Sequence, residues 1–171
     1  MGRMMKEILY APWRNDYVTK EKIRGCVFCH ISSHCEDDEK LHVLYRDEHC
    51  FIVMNRYPYT PGHFMIIPHQ HTDALEELPV NVWLHMSSLA QQCVRLLKEG
   101  FGAHGVNLGM NLGEIAGAGI AQHIHLHLVP RWKGDTNFIT TIGETRVFSS
   151  DFEKIYKAII KLIPQYVNKE G

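Results

Sequence analysis

The spacing of apolar residues changes period along this chain. HVLYR (42–46), CFIVMN (50–55) and HFMIIP (63–68) are short apolar runs rich in β-branched and aromatic residues, which predicts three strands. RYPYTPGH, between the last two, carries Pro58, Pro61 and Gly62, a turn composition. The period then lengthens. Val82, Met86, Leu89, Cys93 and Leu97 recur every three or four residues, which predicts a helix over about 79–99. Pro79 suits its first turn, and Gly100 and Gly102 suit its end. GVNLGMNLG (105–113) reads as a strand, and HIHLHLV (123–129) as a second one with strict alternation. NFITTI (137–142) and TRVF (145–148) suit a hairpin about Gly143. A last helix is expected over about 150–164. Ser150 and Glu153 form a capping box, Phe152, Ile155, Ile159 and Leu162 line one face, and Pro164 stops it. Consecutive strands with two segregated helices indicate an α+β fold with a largely antiparallel sheet. We expect one domain over 1–171, its core spanning about 8–142.

The alternating segment brings in chemistry. Side chains on a strand point to opposite faces in turn, so His123, His125 and His127 share one face and Ile124, Leu126 and Leu128 the other. The outer two Cα atoms stand roughly 13 Å apart, too far for one metal to take all three imidazoles easily. A row of this kind suits an extended ligand. Neutral imidazole is a competent nucleophile toward phosphorus and a good leaving group from it. The middle residue, His125, is best placed to attack. A flanking imidazole can donate to phosphate oxygens where charge develops. The preceding loop, GEIAGAGIAQ, holds Gly113, Gly117 and Gly119, whose backbone N–H groups can turn toward an anion. It is neither a P-loop nor a Rossmann fingerprint.

Cys26 and Cys29 form CVFC, a spacing that suits one shared tetrahedral zinc, a redox pair or two unligated thiols. The redox pair lacks a βαβ setting. His30, His34, Cys35, His69, His71 and His123 are further zinc ligands by residue type. His30, His34 and His69 otherwise read as surface or loop histidines, and Cys50 and Cys93 as core. Trp13 and Trp132 are packed aromatics or base-stacking ones, and the acidic run 36–39 is a solvated loop.

Composition narrows the class. Net charge is −1, from 18 basic and 19 acidic residues, so no basic field serves a nucleic acid or a membrane surface. No apolar run reaches the ~18 residues of a membrane helix. MGRMMKEILYAPWR has no apolar signal core, and five cysteines without one point to the cytoplasm.

HxHxH followed by two aliphatics resembles the histidine-triad family of nucleotide hydrolases and transferases. APWR, CVFC, DEHCFIVMN, NRYPYTPGHFMIIP, NLGEIAGAGIAQ and VPRWKGDTNF extend the resemblance to the branch of bacterial diadenosine tetraphosphate phosphorylases and ATP adenylyltransferases. Leu126 departs from it, since relatives often carry tryptophan there. The resemblance implies a nucleotidyl-histidine intermediate on His125, resolved by phosphate or water, with His127 on phosphate oxygens and the leaving group. It implies that Asn55 contacts the sugar, that Asn111 and His63 lie in the same cleft, and that Gly117 and Gly119 offer backbone donors. It also implies structural zinc on Cys26, Cys29, His71 and His123, and a homodimer through the long helix and adjoining strand. Trp83 and Met86 suit such an interface, and burial within one chain explains them equally well. The polyphosphate would bring Mg²⁺ with it, since no protein site is dedicated to that ion. Other readings are a phosphoramidase or triphosphate-type hydrolase of the same family, a nucleotide-binding sensor, and a cupin-like metal barrel.

Overall fold

The computed structural model describes residues 25–136, 142 and 150–168. The APWR segment with Trp13 lies outside the described residues, as does the expected hairpin about Gly143 apart from Ile142.

Helix α1 (Val27–Ser33) opens the described chain, and one helical turn, α2 (Asp38–Leu41), follows. The acidic run is therefore not a plain loop. Asp38 pairs with Arg46, and Asp37 with Lys40. Strands β1 (Val43–Arg46), β2 (Cys50–Met54) and β3 (Phe64–Pro68) form where the apolar runs predicted them. The long helix α3 (Val80–Arg95) ends in a π turn over Leu96–Gly100, with Phe101 N–H on Leu96 O. Strands β4 (Gly105–Gly109) and β5 (Leu126–Arg131) come next, and helix α4 (Phe152–Tyr166) is last. The sheet order is β1-β2-β3-β5-β4, antiparallel throughout. An open sheet with helices packed on it replaces the cupin-like barrel as the architecture.

Both faces of the sheet are covered at its centre, so β2 and β3 are buried along their whole length. That burial explains their unbroken apolar sequence. On one face Ile52, Met54, Phe64, Ile66, Leu126 and Leu128 meet α3 and α4. On the other, Phe51, Val53, Met65 and Ile67 meet Phe28 and Ile31 of α1. In α3, Met86, Leu89, Ala90 and Cys93 form the buried stripe. Met86 is fully buried within one chain, which removes it from any dimer contact, and Trp83 also packs on this core.

Strand β5 and helix α4 differ in detail from expectation. His123 and His125 precede β5, which starts at Leu126. In α4, Asp151 rather than Ser150 is the N-cap, accepting from Glu153 N–H and Lys154 N–H. The Glu153 side chain instead meets His42 Nε2 at 2.6 Å. Pro164 sits inside the last turn and does not end the helix before Tyr166. Near a C-terminus the missing N–H forfeits a single bond, and Val167 N–H still reaches Ile163 O. Among the described residues no helix is long and apolar enough to cross a membrane.

Candidate active site and metal-ligating cluster

The register of β3 against β5 places Met65 opposite His127, on the α1 side of the sheet. Just before β5, Ile124 N–H donates to Thr72 O at 2.8 Å. That bond holds His123 and His125 in line with His127, although the strand itself begins only at Leu126, and it brings His71 beside His123. His123 and His125 are buried and His127 is partly so. The three imidazoles share one side as the alternation predicted. The His125 and His127 rings stand 4.8 Å apart, and Phe28 packs against both His123 and His125.

Backbone groups of known polarity set the tautomers. A carbonyl can only accept, so His125 Nδ1, 2.8 Å from His123 O, carries the proton and Nε2 keeps a free lone pair. His123 Nε2 likewise donates to Pro68 O at 3.0 Å, which frees its Nδ1. Tyr59 N–H donates to His63 Nδ1 at 3.1 Å, so neutral His63 bears its proton on Nε2. That proton points at His127 Nδ1, 2.9 Å away. Neutral His127 is thereby left with an Nε2–H donor. Burial pushes His63 down to about 3, with His127 and His125 adding to the shift. Burial and then His125 push His127 down to about 4. Both rings are neutral near pH 7.

Gly62 is what lets His63 enter this chain of bonds. Its φ is +82°, and a Cβ there would stand 2.6 Å from the Phe101 ring. Asn55 crosses the His63 ring, its Nδ2 lying 3.3 Å from each His63 nitrogen, while its Oδ1 accepts from Tyr57 N–H at 2.9 Å. Asn111 lies in the loop after β4 and donates from Nδ2 to Gly117 O at 3.4 Å. Gly117 has φ +93°, but its N–H already donates to Glu114 O at 2.9 Å, so it does not offer the expected free donor. Gly119 does not adopt a positive φ. Trp132 is tied down, donating from Nε1 to Gly102 O and packing edge-on against Phe101.

Cys26, Cys29, His71 and His123 converge, their ligand atoms all within 4.8 Å of one another. His123 Nδ1 is 3.4 Å from Cys26 Sγ, 3.8 Å from Cys29 Sγ and 3.3 Å from His71 Nδ1, and Cys29 Sγ is 3.2 Å from His71 Nδ1. Tetrahedral zinc with ordinary bond lengths has N···N edges of about 3.3 Å and N···S edges of about 3.5 Å. The residues fit the ion. The Pro68 carbonyl on the far nitrogen of His123 is the support such a ligand needs. Burial raises the Cys29 thiol, as does Cys26 beside it; a bound cation reverses that direction.

His69 stands outside the cluster, held by Ser32 Oγ at 2.7 Å and Asp47 O at 2.9 Å. His30 and His34 stack on each other, and Cys35 is exposed. Cys50 and Cys93 are buried thiols, as expected. Sequence reading missed Asp47, which accepts from His49 N–H and Cys50 N–H and takes His85 Nε2 at 2.6 Å. Asp47, Cys50 and His85 are the other described group of ligand-type side chains, and a thiol-bearing set does not suit Mg²⁺.

An antiparallel α+β scaffold that displays imidazoles with backbone-fixed tautomers beside a thiol–imidazole cluster has the groups that chemistry on imidazole nitrogen needs. The model of the HIT domain matches residues 36–134, and the chain belongs to the HIT, or histidine-triad, family. It is 42% identical over 148 residues to the AP-4-A phosphorylase of Mycobacterium tuberculosis, covering 81% of this chain and 75% of that protein. A Zn-bound histidine triad family protein from Mycobacterium smegmatis superposes with a TM-score of 0.67 at 31% identity, over 82% of this chain and 94% of its own. A histidine triad nucleotide-binding protein from Sulfolobus tokodaii gives 0.66 at 26% identity, over 85% and 97%.

Proposed function

We propose that this chain is a nucleotidyl transferase or hydrolase that cleaves dinucleoside polyphosphates through a nucleotidyl-histidine on His125. The observation that carries the reading is the His125 Nδ1–H bond to His123 O, which aims an unprotonated Nε2 away from the backbone. Its likeness to a phosphorylase of this substrate class supports the choice of substrate.

In the first step His125 Nε2 attacks the α-phosphorus, and a P–N bond forms as the bond to the bridging oxygen breaks. The departing nucleotide is a stable anion near neutral pH, so a hydrogen bond from His127 Nε2–H suffices and full proton transfer is not required. His63 keeps that donor in place. Inorganic phosphate then attacks the phosphorus, the P–N bond breaks, and a nucleoside diphosphate leaves. Water as acceptor gives a monophosphate instead. In this reading Asn55 contacts the sugar, Asn111 lies near the scissile phosphate, and Gly119 remains as a backbone donor. Any Mg²⁺ enters with the polyphosphate and screens its charge.

Cys26, Cys29, His71 and His123 hold a zinc ion in this reading, a structural one, because four protein ligands leave no open position. The ion would brace the segment that presents His125. The zinc-bound relative supports this assignment. Reduced thiols at all five cysteines suit the cytoplasm. We read the chain as one HIT domain. The exposed edge strand β4 and the outer side of α3 are the surfaces for a second copy.

The test incubates the protein with diadenosine tetraphosphate, with and without phosphate, and quenches early. We expect label on His125, with ADP and ATP as products when phosphate is present. No adduct and no turnover on any dinucleotide would overturn the proposal.

A further inference from the structure

Asp47, Cys50 and His85 take no part in the proposed reaction, and they share no residue with the Cys26, Cys29, His71 and His123 cluster. The two groups lie on opposite faces of the sheet. Cys26 packs on the α1 side, whereas Cys50 is buried on the side of α3 and α4. The turn between β1 and β2 supplies Asp47, the first residue of β2 is Cys50, and α3 brings His85 onto them. Their ligand atoms all lie within 4.8 Å of one another.

The carboxylate is fixed in advance. Asp47 Oδ1 accepts from His49 N–H at 2.8 Å and Cys50 N–H at 2.9 Å, which leaves Oδ2 for His85 Nε2 at 2.6 Å. Burial and then Asp47 push the Cys50 thiol up, because a thiolate beside a carboxylate in the core is two like charges without a counterion. A divalent cation reverses that direction, and one carboxylate, one thiolate and one neutral imidazole balance its charge. A second observation points to the same place. The Tyr45 hydroxyl is buried with no hydrogen-bond partner among the described residues, and Tyr45 is only 8% exposed. Burial first, then Asp47, with Cys50 and Cys93 adding, push that hydroxyl up to about 12, so it faces this group. Once His85 turns from Asp47 to an ion, the carboxylate has capacity for the Tyr45 donor.

We propose that Asp47 Oδ2, Cys50 Sγ and His85 Nε2 form a second metal site, for a divalent transition ion of the zinc type. Thiolate with imidazole and carboxylate selects such an ion over Mg²⁺ or Ca²⁺. Cys50 releases its thiol proton to solvent as the sulfur–metal bond forms, and neutral His85 moves its proton from Nε2 to Nδ1. Ligand nitrogen and oxygen around tetrahedral zinc stand about 3.3 Å apart, so the ring has to swing back by roughly 0.7 Å. Three protein ligands leave the fourth position to water, so this ion exchanges more readily than one held by four. It is lost on desalting, while the four-ligand cluster keeps its own.

The experiment loads the protein with zinc, desalts it, and titrates it with Co²⁺ while released zinc is measured. We expect one Co²⁺ per chain to bind without displacing zinc, with a thiolate-to-cobalt absorption band in the near ultraviolet. Cys50→Ala should abolish that band. His85→Gln, at the partly exposed side of the group, should weaken Co²⁺ binding by about 100-fold, the upper end of what loss of a ligand's support costs. Circular dichroism checks that each variant is folded, and His85→Gln decides the matter if Cys50→Ala does not fold. Absence of Co²⁺ binding, binding only as zinc leaves, a thiolate band that survives Cys50→Ala, or an affinity unchanged in His85→Gln would each overturn the proposal and leave Asp47 and His85 as a hydrogen-bonded tie between the sheet and α3.

Discussion

His63 Nε2 lies 2.9 Å from His127 Nδ1, and the backbone N–H of Tyr59 dictates which of the two carries the proton between them. The consequence is a donor on the far nitrogen of His127. His63→Ala removes the partner and lets His127 exchange tautomers. We expect kcat to fall about 10- to 100-fold, the range associated with supports of this kind, with a smaller change in KM. Nitrogen-15 NMR of the imidazoles should show a single Nε2–H form of His127 in the parent and a mixture in the variant. An unchanged spectrum with lost activity would mean that His63 acts in some other way.

Acid should destabilise the fold through the same pair. Folded His63 titrates near 3 and His127 near 4, both below the ordinary 6.5. Between those values the unfolded chain binds protons that the folded chain refuses, so stability is full above pH 6.5 and is lost as pH falls toward 4. His63 alone should contribute on the order of 2 kcal/mol to the loss between pH 6.5 and 4.5. Urea unfolding at several pH values measures it. The Cys26, Cys29, His71 and His123 cluster is the same in parent and variant, so the difference between their curves isolates this residue. His63→Gln should flatten the curve, and parallel curves would refute the assignment.

The parts legible in sequence were those where one local rule decides. Strands β2 and β3 are buried on both faces, so their apolar runs had a single plausible reading. The histidine alternation likewise placed three rings on one side. Tertiary context decided the rest. The start of β5 depends on which neighbour pairs with Ile124, and that neighbour is Thr72, 52 positions earlier. Glu153 could have closed a capping box, but His42, distant in sequence, takes its carboxylate. The resemblance marked His63 as lying in the cleft, but its bond to His127 follows from the β3–β5 register, which sequence periodicity does not encode. Gly117 has the composition of an anion donor, but the turn it makes consumes its N–H.

Cys29→Ser tests the cluster at its most connected thiol, which approaches both His71 and His123. A hydroxyl does not ionise to replace a thiolate ligand. The parent should carry one zinc per chain by elemental analysis, and the variant close to none. Loss of a structural ion that joins α1 to the segment before β5 should lower the melting temperature by about 5–10 °C, or ~2–3 kcal/mol for a chain of this size. Chelation of the parent should reproduce the shift. A parent that holds no zinc after purification in its presence would reject the site.

Leu108 on β4 faces Leu128 on β5 across the sheet, yet Leu128 is fully buried and Leu108 is 53% exposed. Both point toward the helix layer, so α3 covers one and stops short of the other. Val80 and Leu84, on α3 itself, are exposed as well. Among the described residues β4 is an edge strand, and exposed apolar side chains on an edge strand and on a neighbouring helix are what a second copy would cover by extending the sheet. Leu108→Asp places a charge at this half-exposed edge position. We expect the parent to sediment as a dimer and the variant as a monomer, with the melting temperature of the isolated domain little altered beyond the loss of association. A variant that remains dimeric would place the contact elsewhere, and a parent that is monomeric at all concentrations would remove the dimer from the proposal.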